Sequence, residues 1–369
     1  MPVFTPHQDA ALGAVAAWLK ARPGHGATPQ VFRLFGYAGT GKTTLARHLA
    51  EGVDGAVAYA AFTGKAALVM RSKGCDGATT IHGLIYRARE RDAETPSFEL
   101  WEDSPAAHAS LIVIDECSMV DAELGRDLLS FGTPVLVLGD PAQLPPVKGA
   151  GFFTEAAPDA MLSEVHRQAA DNPIVRLSME VREGKRLELG RWDDTEVVRR
   201  ADFAADRVDQ AGQILVGRNA TRQRFNARMR ARRGFEEPLP LAGDRLVCLR
   251  NNRKKGLFNG GLWTVARRAV SKSSLVTMHL KPEDEIGAKP TKVTARPECF
   301  LGGLETVEWD KRKRYDEFDF GYVLTVHKAQ GSQWDDVILF DESFAFPDGR
   351  ERWLYTGITR AAKRLTVVV

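Results

Sequence analysis

The chain is poor in cysteine, in long apolar runs and in net charge. Its four cysteines, Cys75, Cys117, Cys248 and Cys299, are far apart and form no C-x-x-C pair, which argues against a disulfide framework or a zinc site. No apolar run reaches the roughly 18 residues of a membrane-spanning helix, and the first residues lack a basic-then-apolar signal pattern. We therefore expect a cytoplasmic protein with no membrane partner.

The nearly equal numbers of positive and negative residues argue against a surface that is basic throughout. The 369 residues include 51 Lys and Arg against 48 Asp and Glu, a net charge of +3. Such a balance does not by itself require nucleic acid, so any basic surface must be local. A composition of 44% hydrophobic and 27% charged residues is typical of globular proteins, and the length allows roughly two to four domains.

A glycine-rich segment is the strongest local signal. Residues 36–44 read GYAGTGKTT, which contains the phosphate-loop pattern G-x-x-x-x-G-K-T. An apolar run at 31–35 predicts a strand before it, and residues 45–50 predict a helix after it. In that context backbone N–H groups and a helix N-terminus can hold phosphate oxygens. A glycine-rich turn without a ligand is the alternative.

Within this loop, Lys42 can reach the β- and γ-phosphates, and the Thr43 hydroxyl can ligate Mg²⁺. The predicted nucleotide contacts of the loop are Gly39, Thr40, Gly41, Lys42, Thr43 and Thr44.

Two further apolar runs end in polar residues. Residues 111–114 lead to Asp115, which can hold the Mg²⁺ shell, and to Glu116, which can deprotonate a water for attack on the γ-phosphate. Residues 135–138 lead to Asp140 and Gln143, and Gln143 can bond the terminal phosphate. Parallel strands bring such ends to one edge of a sheet. The residues therefore predict an α/β, Mg²⁺-dependent nucleoside triphosphatase.

Several polar side chains have two interpretations. Thr63, Lys65, Thr80 and His82 suit phosphate contacts on a polymer, or are ordinary caps and surface charges. Gln8 can pair with an adenine edge or be a solvated residue in a first helical turn. Arg167 can likewise reach a phosphate or remain in solvent.

Two segments interrupt the α/β pattern. Residues 84–110 predict a small inserted hairpin, in which Phe98 and Trp101 are either exposed or cover the insert's own core. Residues 244–319 turn to short strands separated by Asn- and Gly-rich turns. The α/β pattern then returns, and residues 353–361 predict a helix before a final strand.

The ordered motifs resemble superfamily 1 helicases, specifically their RecD/Dda-like 5′→3′ branch, over nearly the whole chain. The resemblance rests on the region around Gln8 and on the segments GYAGTGKTT (36–44), FTGKAA (62–67), TTIHG (79–83), VIDE (113–116), GDPAQLPPV (139–147), VHRQ (165–168), TVHKAQGSQWD (325–335) and YTGITRA (355–361).

The resemblance implies two RecA-like P-loop domains that clamp ATP between them, with a hairpin insertion and an SH3-like β insertion. It places the first domain at 1–83 and 111–168, the hairpin, or pin, at 84–110, the second domain at 169–243 and 320–369, and the β insertion at 244–319. It also implies ATP and Mg²⁺ as cofactors and makes Arg167 and Arg360 arginine fingers.

The same resemblance assigns further contacts. Gln8 would read adenine, Gln143 would link phosphate to DNA, and Gln333 stands where relatives often carry Glu for a ribose contact. The DNA contacts would be Thr63, Lys65, Thr80, His82, Phe98, Thr325, His327 and Lys328. The expected partners are single-stranded DNA and forked duplex DNA, bound by a monomer, with a single-strand-binding or replication protein as a further candidate.

The expected function is therefore ATP-dependent 5′→3′ translocation on single-stranded DNA with strand separation. A DNA-stimulated translocase that does not unwind is one alternative, and a P-loop switch or phosphotransferase is another. A switch would not need the second half with His327, Lys328 and Arg360.

Overall fold

Helices and strands alternate through most of the chain. The structure, a computed structural model, describes residues 4–21, 23–24, 28–88, 98–145, 151–164, 171–252, 255–269, 274–283 and 289–369. The helices are α1 (Pro6–Lys20), α2 (Lys42–Glu51), α3 (Gly64–Ser72), α4 (Ile81–Ile85), α5 (Pro105–His108), α6 (Ala122–Leu129), α7 (Pro173–Arg182), α8 (Asn219–Arg232), α9 (Glu298–Leu301), α10 (Trp309–Arg312) and α11 (Arg350–Ile358).

The strands form four sheets. They are β1 (Val31–Gly36), β2 (Val57–Ala61), β3 (Thr79–Thr80), β4 (Tyr86–Ala88), β5 (Phe98–Leu100), β6 (Leu111–Asp115), β7 (Val135–Gly139), β8 (Ala160–Leu162), β9 (Gly190–Trp192), β10 (Thr195–Val198), β11 (Gln213–Val216), β12 (Arg245–Cys248), β13 (Leu262–Ala269), β14 (Val276–Pro282), β15 (Thr291–Ala295), β16 (Phe318–Phe320), β17 (Val323–Thr325), β18 (Trp334–Phe340) and β19 (Ala361–Val368).

The first sheet is parallel and has the order β3-β2-β6-β7-β1-β8. Its central strands are buried on both faces, as expected for continuous runs of Val, Ile and Leu. In the register, Val31 lies beside Val135, and Val57 beside Leu111. The strands predicted at 31–35, 111–114 and 135–138 are confirmed, and their carboxyl ends lie at one edge.

The second sheet has the order β17-β11-β18-β19-β10-β9 and is parallel except for β9. The helix predicted for 353–361 is wrong at its C-terminal end. It stops at Ile358, since Ala361 already pairs with Trp334 in the adjacent parallel strand. Arg360 therefore lies in the short turn between α11 and β19, not on a helix.

Two antiparallel sheets occupy the segments that interrupt the α/β pattern. Strands β4 and β5 form an antiparallel pair, and β15-β14-β13-β12-β16 form a five-stranded sheet. Side chains of this sheet, such as Val265 and Met278, share one hydrophobic core with Ile214 and Ile338 of the second sheet.

The two α/β halves contact each other through apolar side chains. Leu144, which follows β7 in the first half, is buried in the core that α7 and α11 form on the second sheet. No helix in the described ranges is both long and apolar enough to cross a lipid bilayer.

Candidate nucleotide site and nucleic-acid groove

The glycine-rich segment forms a loop between β1 and α2. Gly39 and Gly41 both have φ of 78°, a left-handed conformation that glycine adopts without steric cost. Gly41 caps α2 without a side-chain bond, so the helix N-terminus stays open to a ligand. The Lys42 ammonium donates to the Gly36 carbonyl at 2.6 Å and to the Tyr37 carbonyl at 3.1 Å. The loop thus has the shape and charge of a phosphate cradle.

Two oxygen ligands meet beside this cradle. The Thr43 hydroxyl donates to Asp115 Oδ2 at 2.9 Å, and Asp115 Oδ1 accepts the Glu116 N–H at 2.8 Å. Among the described residues no cluster of three His, Cys, Asp or Glu could hold a metal. Such a sparse oxygen set fits Mg²⁺, which commonly binds one or two protein ligands together with substrate phosphates.

Glu116 stands in an unusual backbone conformation at the end of β6. Its φ of 54° is left-handed, which is uncommon for a residue with a side chain and typical of functional sites. Burial raises the pKa of its carboxyl above the ordinary value, the negative charge of Asp115 adds to this, and the Arg360 guanidinium opposes it. Glu116 is therefore a half-buried carboxylate within electrostatic reach of a cation from the second half of the chain.

Arg360 is almost fully buried, with 5% of its surface exposed. Its guanidinium donates to the carbonyls of Thr356 and Ser332, at 3.0 and 3.2 Å, and to the Thr359 hydroxyl at 3.1 Å. A guanidinium has five N–H groups, so these three bonds fix its orientation and leave donors for a ligand. Arg167, the other predicted finger, lies outside the described residues.

A tyrosine that the sequence analysis missed joins the two halves at the loop. The Tyr355 hydroxyl, on α11, accepts the Ala38 N–H at 2.8 Å and donates to Asp140 Oδ2 at 2.6 Å. Burial and the Asp140 charge raise the pKa of this phenol, which keeps it a donor. Tyr355 belongs to the YTGITRA segment, but nothing in the local pattern identifies its partners.

Gln143 and its neighbours form a second bridge between the halves. Gln143 is buried, and its Oε1 has no hydrogen-bond partner within the described ranges. Next to it, the Leu144 N–H donates to the Thr356 hydroxyl at 3.0 Å, and Gln330 Nε2 donates to the Leu144 carbonyl at 2.9 Å. Gln143 Oε1 is a hydrogen-bond acceptor, so a bond from Gln143 to a phosphate oxygen would have to come from its Nε2 donor.

The predicted adenine reader is tied to the same loop. Gln8 is buried, so the alternative of a solvated residue is wrong. Its Oε1 accepts the Thr5 N–H at 3.0 Å in a capping box, and its Nε2 donates to the Thr40 carbonyl at 3.0 Å. Thr44 and Gln333 are exposed.

The sequence analysis also missed a contact between an arginine and an aromatic ring at the phosphate loop. The Arg182 guanidinium, at the end of α7, lies 3.7 Å from the ring centroid of Tyr37 in the phosphate loop. Its Nη1 is buried without a hydrogen-bond partner among the described residues. The only sequence signal for this pair was an aromatic residue at an unspecified (x) position of the G-x-x-x-x-G-K-T pattern.

A cavity of about 350 Å³ brings several predicted DNA contacts together. Thr63 of the first half and His327 and Lys328 of the second half line it, together with Leu249 and Asn259 of the five-stranded sheet region. The three parts of the chain thus meet at one groove. Nothing in the sequence marked Leu249 or Asn259 as contacts.

The remaining predicted DNA contacts differ in accessibility. Lys65 is buried, with its ammonium 4.8 Å from the Trp334 ring centroid. His82 is exposed and contacts the rings of Phe62 and Tyr86, with centroids 6.3 and 5.7 Å away. The side chain of Phe98 lies outside the described residues.

The three predicted threonines are helix or turn caps in this structure. The hydroxyls of Thr63, Thr80 and Thr325 accept the N–H groups of Ala66, Gly83 and Lys328, respectively, at 3.1, 3.1 and 3.3 Å. A hydroxyl that accepts one bond can still donate another, so capping does not exclude a phosphate contact.

Burial lowers the pKa values of His327 and Lys328, and the positive charge of Arg222 lowers that of Lys328 further. A neutral imidazole and a partly desolvated ammonium are therefore adjacent in the groove.

Models of two protein families match the two halves of the chain. The "AAA domain" matches residues 25–202, and the "UvrD-like helicase C-terminal domain" matches residues 320–368. The chain is 31% identical to the ATP-dependent RecD2 DNA helicase of Deinococcus radiodurans, in an alignment of 360 positions that covers 90% of this chain. The chain is therefore similar to the superfamily 1B helicases.

A second helicase matches a shorter part of the chain. The chain is 32% identical to the ATP-dependent DNA helicase dda of Enterobacteria phage T4, in an alignment of 178 positions that covers 44% of this chain. These alignments cover 46% of the RecD2 helicase and 39% of dda, so the chain spans less than half of either.

Solved structures share the fold. The Pif1 helicase from Bacteroides in complex with ADP-AlF3 and ssDNA matches all of this chain with a TM-score of 0.58 at 18% identity, over 92% of its own length. The Pif1 helicase from Candida albicans matches all of this chain with a TM-score of 0.57 at 17% identity, over 94% of its own length. The expected α/β class with RecA-like halves is thereby confirmed.

Proposed function

We propose that this chain is an ATP-dependent DNA helicase that moves 5′→3′ along single-stranded DNA and separates a duplex as it advances. The superfamily 1B relationship supports the reaction class, and the direction follows the RecD/Dda-like resemblance. The proposed domains are those of the sequence analysis: a first domain at 1–83 and 111–168, a pin at 84–110, a second domain at 169–243 and 320–369, and a β insertion at 244–319.

One observation carries the proposal above all others. Arg360, held by its own half through three hydrogen bonds, lies near enough to Glu116 of the other half for its positive charge to lower the pKa of that carboxyl. A P-loop switch needs no second domain at its phosphates, whereas a motor must couple hydrolysis to movement between two domains. The bonds from Tyr355 to Ala38 and Asp140 supply a second coupling point.

Each residue of the nucleotide site would have a separate role in ATP hydrolysis. Bound Mg²⁺–ATP would supply the phosphoanhydride bond to be cleaved and a cation that offsets the charge of its phosphates. Lys42 would exchange its two loop carbonyls for phosphate oxygens, and Thr43 and Asp115 would hold the ion. Glu116 would take the proton of the attacking water, and Arg360 would stabilise the charge that develops on the phosphate.

We place the single-stranded DNA in the groove lined by Thr63, His327 and Lys328. Lys328, which lines this groove, would pair with a backbone phosphate, and the exposed ring of His82 would contact the strand nearby. The chain would act as a monomer on single-stranded or forked DNA, with a single-strand-binding or replication protein as a candidate partner.

The insert at 84–110 has only 27 residues, which is short for a segment that must split a fork. This length favours a second candidate function, translocation without unwinding. The two candidates share every ATP-site assignment and differ in the outcome at a duplex.

ATP turnover measured with and without single-stranded DNA tests the proposal. We expect strong stimulation by DNA, and unwinding of a duplex with a 5′ tail but not of one with a 3′ tail. DNA-stimulated turnover without unwinding of either substrate would select the translocase. Turnover that is indifferent to DNA would reject both and favour the switch or phosphotransferase.

A further inference from the structure

A groove of about 920 Å³ lies on the second sheet, away from the ATP site. In β11 and β18, alternate side chains point to opposite faces of the sheet. Leu215 and Leu339 pack with α7 and α11, on the face that meets the first half, whereas Ile214 and Ile338 pack on the other face. The groove lies on that other face, between α8 and the segment 200–208.

The floor of the groove is apolar and aromatic. Phe340 is buried, and the half-buried rings of Phe203 and Phe225 pack against it with centroids 5.5 and 5.0 Å away and planes at 80° and 88°. Met229 and Val208 complete the lining. Interlocked edge-to-face rings make a surface for apolar side chains, not the exposed parallel faces on which successive bases stack.

The rim of the groove is positively charged. Arg224 and Arg228 are exposed one turn apart on α8, and Arg200 lies with its guanidinium 5.7 Å from the Phe340 ring centroid. In the part of the chain that the structure describes, neither Arg224 nor Arg228 forms an ion pair with a carboxylate, whereas Arg232 is paired with Asp209. Like charges at this spacing repel each other slightly, and an anionic ligand would remove that cost.

We propose that this groove binds an acidic peptide segment of a partner protein, with a large apolar side chain in the groove and carboxylates on the arginine rim. The volume is that of a typical ligand site, and the charge of the rim selects an acidic segment over a basic one. An apolar floor offers no donors or acceptors to base edges, which favours a peptide over nucleic acid. The site is separate from the proposed DNA groove, so it can be occupied during translocation.

The test uses the full chain and a fluorescein-labelled peptide of sequence Asp-Glu-Asp-Asp-Leu-Phe, titrated by fluorescence anisotropy at low salt. Two matched peptides replace Leu-Phe by Ser-Ser, or the four acids by their amides. We expect the parent peptide to bind and both replacements to weaken binding by about tenfold or more. Equal binding of all three peptides, or no binding of the parent peptide, would overturn the proposal.

Protein variants locate the site. Combining Arg224→Glu with Arg228→Glu should weaken peptide binding by about tenfold or more, whereas Arg314→Glu, an exposed arginine outside the groove, should change it less than about twofold. DNA-stimulated ATP turnover should be unchanged in all of them. If the double variant instead loses affinity for a single-stranded oligonucleotide that displaces the peptide, the groove is a nucleic-acid site and the proposal fails.

Discussion

The assignment of Arg360 as an arginine finger makes a quantitative prediction. Its guanidinium is buried at 5% exposure and fixed by three hydrogen bonds to its own half, so it can contribute charge to the transition state with little reorganisation. Arginine fingers typically contribute about 10³–10⁵ in rate. At 1.36 kcal/mol per factor of ten, Arg360→Ala should raise the barrier by about 4–7 kcal/mol.

The assay is phosphate release at saturating single-stranded DNA, combined with nucleotide binding and DNA binding of the same preparations. We expect turnover to fall by about 10³ or more, with both binding affinities changed far less. Arg360→Lys keeps the charge but not the planar fork, so it should also turn over slowly.

Arg364→Ala is the matched control. Arg364 lies four residues further along, exposed on β19, and forms an ion pair with Asp336 at 3.2 Å. Exposed pairs of this kind contribute about 0–1 kcal/mol, so this variant should keep the parental rate. Turnover of Arg360→Ala within about threefold of the parent would refute the assignment and leave Arg360 a structural role in the α11–β19 turn.

Other substitutions test the remaining parts of the site. Glu116→Gln should still bind nucleotide but lose hydrolysis, since the water loses its base, and parental hydrolysis would refute that role. Lys328→Ala should flatten the slope of log K against log salt for single-stranded DNA by about 0.7, which corresponds to one phosphate contact. Lys65→Ala should flatten this slope less, because the buried Lys65 ammonium already has an aromatic partner. Equal slopes in the parent and in Lys328→Ala would place the strand elsewhere. Replacing residues 89–101 with a Gly-Ser turn should keep DNA-stimulated ATP turnover and abolish unwinding, and unwinding at the parental rate would remove the insert from the mechanism. Tyr355→Phe loses a hydrogen bond to a carboxylate worth about 1.5–3 kcal/mol, so the thermal midpoint of the nucleotide-free protein should drop measurably, and an unchanged midpoint would contradict the bridge seen here.

The local chemistry of the phosphate loop was predictable from the sequence. The spacing of residues 36–44 gives a strand, a loop and a helix, and the acids after residues 111–114 identify the neighbouring strand end. The capping box at Thr5 and Gln8 was also readable, because Thr-x-x-Gln before a helix is its signature. The sequence analysis placed Gln8 in a first helical turn but did not pair it with Thr5.

Contacts between distant segments could not be predicted in this way. Tyr355 bonds to Ala38, 317 positions away, and Arg182 lies over Tyr37 from the other half of the chain. Neither pairing leaves a periodic or spacing signal. The end of α11 was missed for a related reason: helix propensity continues to Ala361, but strand pairing with Trp334 takes precedence.

The second sheet and the five-stranded sheet share one hydrophobic core, which limits the sequence changes that the β segment can accept. Val265, Met278, Ile214 and Ile338 are buried in one continuous cluster, so the β segment interrupts the second half in sequence but is not independent of it in packing. Removal of the β segment would expose the underlying face of the second sheet to water. Replacement by the corresponding segment of a relative would leave an inner face that does not fit the second sheet. Evolution can therefore lengthen or alter its exposed loops freely, whereas its inner face must change together with the strands beneath it.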